Sequence, residues 1–297
     1  MKHSILIAGL ILLAASCSKE NDLTVKNTED ATAPVTVRVD NFSIEQEEMS
    51  GTRGLTRAAT AVADYAGVKA ITLAFYKSDG SQECCTTQLR ADDSSYDTFG
   101  EFSLALPYGE YTMIVLGYGS EVPIVLTSKT VAAFGEEKSR ETFVYTQAVT
   151  VSSSTPLNLN ATLNRINSRL VLQSTDGRPA DLDAIRITFS KGGKGFNPMT
   201  GLATSDDGFV NTVTTSVAVG ATTSSITNFF LAGDEETMNV TIETLDADEN
   251  VLFSQTVNDV PFKRNRATFL TGSMYSSATS AGFSVSTDYL TGHYMDF

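Results

Sequence analysis

Short runs in which apolar and polar residues alternate recur from residue 34 almost to the end of this chain, and they limit its possible folds more than any other feature. Val35, Val37 and Val39 alternate with Thr36, Arg38 and Asp40, and Phe42 and Ile44 extend the pattern. A period of two marks a strand with one face against a core. Further strand-like runs fall at residues 68–76, 102–106 and 111–116, then at 161–163, 169–173, 184–189 and 213–219. The last group covers 225–231, 238–245, 251–257, 266–270 and 282–286. Turn residues punctuate them: Ser78-Asp79-Gly80, Pro107-Tyr108-Gly109, and hairpin-turn chemistry at Asp176-Gly177 and Asp246-Ala247-Asp248-Glu249-Asn250. A short helix is expected only around residues 131–138. Many short strands separated by turns predict an all-β fold built of β-sandwiches. With 297 residues and a serine-rich joint at 152–156, the chain is long enough for two, placed at residues 34–151 and 156–297.

The first residues are of another kind. Lys2 and His3 precede an uninterrupted apolar run at 5–13, and Ala14-Ala15-Ser16 lead to Cys17. Charged, apolar and small segments in that order are a bacterial export signal, and the apolar run is shorter than the ~20 residues of a membrane-spanning helix. A cysteine directly after the small residues is the lipobox arrangement. Residues 1–16 therefore read as a lipoprotein signal peptide, and Cys17 as the carrier of a diacylglycerol and an N-acyl lipid. An ordinary secretory signal followed by an unrelated cysteine is the plainer alternative. Residues 17–33 are polar, acidic and aperiodic, as in a flexible tether.

Catalytic chemistry is sparse. The formal net charge of −14 repels phosphate backbones and argues against nucleic acid as a partner. The two histidines are His3, within the signal, and His293, near the end, which leaves little for a Ser-His-Asp or Cys-His site. No glycine-rich loop opens a helix to cradle phosphate. Acidic residues are plentiful, but nothing singles out a pair for glycoside hydrolysis. Asp246, Asp248 and Asn250 have the spacing of calcium ligands without the glycine and distal glutamate of a calcium loop, so a solvated turn is the simpler reading. We expect no catalytic residues, no metal site and no cofactor beyond the lipid. Cys84 and Cys85 are adjacent, and on a strand they point to opposite faces. Either they are two small apolar residues or they form a strained vicinal disulfide in an oxidising compartment. Tryptophan is absent, which weakens a glycan-binding surface without removing it, since ten tyrosines could serve as stacking platforms.

Four stretches, at residues 71–80, 106–112, 163–170 and 264–272, together resemble sequences of the fimbrillin superfamily, the lipoprotein subunits and anchors of type V pili. Ile71-Thr72-Leu73-Ala74-Phe75-Tyr76-Lys77-Ser78-Asp79-Gly80 is similar to an early family strand ending in an Asp-Gly turn. Leu106-Pro107-Tyr108-Gly109-Glu110-Tyr111-Thr112, with the apolar strand after it, resembles another family signature. Leu163-Asn164-Arg165-Ile166-Asn167-Ser168-Arg169-Leu170 is similar to the opening strand of the second family domain, and Arg264-Asn265-Arg266-Ala267-Thr268-Phe269-Leu270-Thr271-Gly272 to a C-terminal hairpin. The resemblance implies two tandem transthyretin-like β-sandwich domains after the signal and tether. It also implies a non-enzymatic fimbrial subunit or anchor, held in the outer membrane by its lipid and active in pilus assembly and cell adhesion. Its partners would be other pilus subunits, joined by strand exchange, and a receptor on a host or bacterial surface. In subunits that polymerise, an Arg-specific protease cuts after the first strand. Here the exchanged strand would carry Val35, Val37, Val39, Phe42 and Ile44. The cut would fall in the loop holding Arg53 and Arg57, with Arg57–Ala58 the better match; alternatively, both arginines are simply solvated. The aromatic C-terminal segment, with Phe283, Tyr289, Tyr294 and Phe297, is either a donor strand or the last core strand with a frayed tail. The rival reading from another class is a surface glycan-binding lipoprotein.

Overall fold

The computed structural model describes residues 31–47, 55–90, 98–136, 138–275 and 282–289. Among these residues the fold is all β, with a 3₁₀ turn at Val62–Asp64. In chain order the strands begin with β1 (Thr32–Glu47), β2 (Leu55–Ala61), β3 (Ala70–Lys77), β4 (Gln82–Leu89), β5 (Glu101–Pro107) and β6 (Gly109–Tyr118). Next come β7 (Ile124–Ser128), β8 (Val131–Phe134), β9 (Thr142–Val151), β10 (Leu157–Arg165), β11 (Ser168–Ser174), β12 (Ala184–Phe189) and β13 (Gly195–Asn197). The remainder are β14 (Leu202–Ala203), β15 (Phe209–Thr214), β16 (Ser224–Phe229), β17 (Glu235–Leu245), β18 (Val251–Lys263), β19 (Arg266–Gly272) and β20 (Ser284–Tyr289).

Eight strands form the first sheet, in the order β2-β1-β10-β9-β6-β3-β4 with β5 also paired to β1. Its inward side chains make one core, with Val35, Val37 and Phe42 from β1 meeting Ile71, Leu73, Phe75, Phe102, Val115, Phe143 and Leu163. A second core lies between two four-stranded sheets, β16-β11-β19-β20 and β15-β12-β17-β18. It holds Leu170, Leu172, Ile187, Phe189, Phe229, Ile242, Phe262 and Leu270. The fourth sheet, β14-β13-β8-β7, draws strands from both halves of the chain. It covers the outer faces of β3 and β6, where Ala70, Ala74, Tyr76, Ile114 and Leu116 meet Ile124, Ala132, Phe134 and Phe196. Burial on both faces explains why β3 is buried at every position but its last. Such a strand can be apolar throughout, without alternating.

Four local expectations change. Residues 131–134 form β8 where a helix was expected. Two alanines favour a helix locally, but pairing with β7 on one side and β13 on the other satisfies the backbone and overrides that preference. The serine-rich stretch 152–156 joins β9 to β10, and both strands belong to the first sheet. The chain crosses to the second core later, at Ile166-Asn167, because Leu159, Ala161 and Leu163 of β10 complete the first core. Asp176-Gly177 is no hairpin, since the flanking β11 and β12 lie in different sheets. Asp176 instead accepts hydrogen bonds from the Ser273 hydroxyl at 2.6 Å and the Met274 and Tyr275 amides at 2.8 and 2.9 Å. Burial alone would raise its carboxyl, but these donors outweigh it and hold the group below the usual range. Arg264-Asn265 likewise bridges β18 and β19 of opposite sheets, with Asn265 at a φ of 60°, a conformation asparagine tolerates. The acidic stretch after β17 is a hairpin turn, as its composition suggests. Asp246 accepts from the amides of Asp248 and Asn250, at 3.0 and 2.8 Å.

Buried tyrosines give the fold an alkaline limit. Burial pushes up the phenols of Tyr65, Tyr111, Tyr118 and Tyr275, and that of Tyr76 to about 12. In the unfolded chain these groups ionise near 10.0. The stability they contribute is therefore intact below pH 10 and lost as the pH climbs toward 12. Phenolate absorbance and the circular dichroism of the sheet should change together in that window. Titration of every tyrosine near pH 10 with the sheet intact would contradict this account.

Candidate functional site

The first strand occupies an interior seat. Along one side β1 runs parallel to β10, from Val35↔Leu157 to Ser43↔Asn164. Along the other it runs antiparallel to two strands in succession. Thr32–Arg38 pair with β5, and Asn41–Glu47 pair with β2. Val35, Val37, Val39 and Phe42 are all buried in the first core, and Ala33 joins them, so the inward alternation begins two residues before Val35. Strict alternation from the valines would turn Asn41 inward and Phe42 outward. An irregularity in register between Val39 and Asn41 inserts Asp40 as an extra residue, and Phe42 takes the inward place. The ring of Phe42 packs 5.6 Å from Tyr65 and 4.9 Å from Phe143, over Gly117 on β6. A Cβ at Gly117 would lie 2.9 Å from that ring, so the close approach requires glycine here. Burying each such aliphatic or aromatic side chain contributes about 1.5–3 kcal/mol.

The candidate cleavage positions are placed only in part. Arg57 and Ala58 belong to strand β2, opposite Glu45 and Ile44 of β1, and not to a loop. Pairing with the second half of β1 draws them into the sheet. Since β2 ends the sheet, one side of its backbone has no strand neighbour among the described residues. Ile44 lies in β1, while Cys17, Arg53, His293, Tyr294 and Phe297 lie outside the described residues. Strand β20 pairs with β19, with Phe283 packed against the second core, so the aromatic C-terminal segment contributes its last sheet strand.

A buried polar cluster holds the place where β10 passes into β11. The Arg165 side chain is 0% exposed and that of Glu141 8%, with Arg165 Nη2 at 2.7 Å from Glu141 Oε1. Arg165 also donates to the Tyr65 hydroxyl at 2.9 Å and to Asn265 Oδ1 at 3.2 Å, and lies 5.0 Å over the ring of Phe143. Tyr65 donates in turn to Glu141 Oε2 at 2.8 Å. Burial, and next the Glu141 charge, raise the Tyr65 phenol, and Arg165 pulls the other way. Two residues beyond Arg165, Asn167 accepts from the Thr142 amide at 3.0 Å and donates to Asn228 at 2.9 Å, tying the first sheet to the second core. Sequence reasoning passed over this cluster. A signal was present, because Arg165 occupies the next inward position after Leu159, Ala161 and Leu163.

Cys84 and Cys85 are unbridged on β4, the last strand of the first sheet. Cys84 packs against the first core and Cys85 is exposed, as strand alternation requires. Partial desolvation by neighbouring groups raises both thiols, even though Cys85 stays open to solvent. An alkylating reagent should label Cys85 first and Cys84 only slowly, as peptide mass spectrometry over time would show. Equal labelling rates would contradict this placement.

The model of a family of unknown function, DUF6562, matches residues 122–294. No curated protein matches the sequence. A candidate adhesin from Bacteroides ovatus has a similar fold, at a TM-score of 0.52 and 11% identity, over 89% of this chain and 97% of its own. A second candidate adhesin from that organism gives 0.49 and 12%, over 83% and 88%. The fimbrial anchor protein Mfa2 from Porphyromonas gingivalis gives 0.46 and 13%, over 87% and 98%. The structural likeness bears on the fold alone, whereas the family match spans more than half of the sequence: this chain belongs to the DUF6562 family.

Proposed function

We propose that the protein is a non-enzymatic surface lipoprotein, acylated at Cys17 and held in the outer membrane, that serves as a fimbrial subunit or anchor and takes part in cell adhesion. The observation that carries this reading is the seat of β1. An interior strand near the start of the chain is fixed by backbone pairing on both sides and by apolar side chains, and it leads through residues 48–54 to β2. Cleavage after Arg57 would leave β1 held by those contacts alone. Its departure would open a strip between β10 and β5, lined by the core and bordered by unpaired backbone groups. Such a strip accepts an extended segment of alternating apolar residues from another subunit. The fold shared with a candidate adhesin supports the surface role. Retention of β1 together with the lipid would make the same chain an anchor.

The N-terminus of protein extracted from the cell surface tests this reading. An acylated Cys17 identifies an anchor or a precursor, and a start at Ala58 identifies a polymerising subunit. A soluble periplasmic protein with neither terminus contradicts the proposal.

A further inference from the structure

A cleft of about 650 Å³ opens between β15 and β16, the end strands of the two sheets around the second core. Its size falls within the range of about 300–1,000 Å³ usual for small-molecule sites. Residues 215–223 link the two strands, with Val217 and Thr223 in the wall of the cleft. Phe209, Val213 and Ile185 give it an apolar side, and the Phe209 ring is fixed by stacking on Phe189 at 4.4 Å. Asn211 bridges the cleft by donating to the Thr227 hydroxyl at 2.9 Å.

Two features of this lining point to a ligand. Ser225 is 8% exposed, and its hydroxyl, on the same inward face of β16 as Thr227, has no hydrogen-bond partner. A buried hydroxyl without a partner is unfavourable by about 1–3 kcal/mol, so native folds rarely keep one without use. The charge of the lining also reverses that of the protein. The chain has 35 acidic and 21 basic residues, yet Lys138, Arg140 and Lys194 line the cleft and no described carboxylate does. Glu136 holds Arg140 at 3.1 Å. Lys138 and Lys194 have no described carboxylate within ion-pairing distance, and Ser139 joins their segments by donating to the Lys194 carbonyl at 3.2 Å.

We propose that this cleft binds an amphipathic organic anion. Its apolar body would lie on Phe209, Val213 and Ile185, its carboxylate or sulfonate would meet Lys138 and Lys194, and a carbonyl or ether oxygen would accept from Ser225. This site is independent of strand exchange at β1 and of the lipid, so either assignment can fail alone.

Calorimetric titration of the mature chain with decanoate, decan-1-ol and decyltrimethylammonium tests the proposal at low salt and again at high salt. Decanoate should bind about tenfold more tightly than the alcohol, which corresponds to about 1.4 kcal/mol, and the ammonium probe most weakly. Added salt should weaken decanoate and leave the alcohol unchanged. The double variant Lys138→Gln/Lys194→Gln should lose most of the preference for decanoate with its melting temperature unchanged, whereas Lys129→Gln should bind like the native chain. Ser225→Ala should fold normally, leave decanoate binding unchanged, since its alkyl chain offers the hydroxyl no acceptor, and bind 6-butoxyhexanoate, which carries an ether oxygen, more weakly than the native chain does. Equal affinities for the three probes, no binding at millimolar concentration, or undiminished decanoate binding in the double variant would each overturn the assignment.

Discussion

Replacing Arg165 with methionine should lower the unfolding free energy by about 3–5 kcal/mol, because it strands a buried carboxylate rather than merely deleting a contact. Glu141 would keep the Tyr65 hydroxyl and lose the guanidinium 2.7 Å away, at a point that solvent barely reaches. Asn265 would also lose a donor in the turn that carries the chain from β18 to β19. The loss should therefore be felt on both sides of the crossing at Ile166-Asn167. The companion variant Arg165→Met/Glu141→Leu removes both charges and should recover most of the deficit, since well-packed apolar pairs often replace buried ion pairs without penalty. Denaturant midpoints for the single and double variants decide the matter. A single variant within about 1 kcal/mol of the native chain would mean that the cluster is a bystander.

Phe42→Ala should destabilise the protein to a similar degree, about 3–5 kcal/mol, because its ring fills the space between β1, Tyr65 and Phe143 above Gly117. The mechanism differs, since this variant leaves a cavity and no stranded charge. Gly117→Ala alone should be destabilising by about 1–3 kcal/mol, since its Cβ would meet the Phe42 ring at 2.9 Å and Leu163 at 3.2 Å. In the Phe42→Ala background the ring is gone and the Leu163 side chain has room to shift, so the effect of the same methyl group should change sign. That reversal is the signature of direct contact, and simple additivity of the two substitutions would refute the packing described for β1.

Alternation made much of the all-β fold legible. The valines at 35, 37 and 39 mark the inward face of β1, and the buried run of β3 marks a strand covered on both sides. What escaped depends on residues far apart in sequence. The bulge at Asp40 follows from β1 having to meet β10 and two further strands at once. Strand β8 formed despite its alanines because β13, some sixty residues later, supplies half of its pairing. The serine-rich stretch at 152–156 resembled a boundary by composition, whereas the crossing is set by Arg165 and Asn167 and by partners contributed from Tyr65 to Asn265. The cleft was invisible for the same reason. Ser225 and Thr227 are ordinary strand residues until β15, Lys138 and Lys194 are brought beside them.

On the proposed reading, β1 is a separable strand whose seat receives an equivalent segment from another molecule. A chain beginning at Ala58, titrated with a synthetic peptide of residues 31–47, tests it most directly. Saturable one-to-one binding is expected, with a melting temperature that rises with peptide concentration, as mass action requires of a ligand specific for the folded state. A Val37→Asp peptide should not bind, because that side chain enters the core. A truncated chain that neither binds the native peptide nor is stabilised by it would contradict the account.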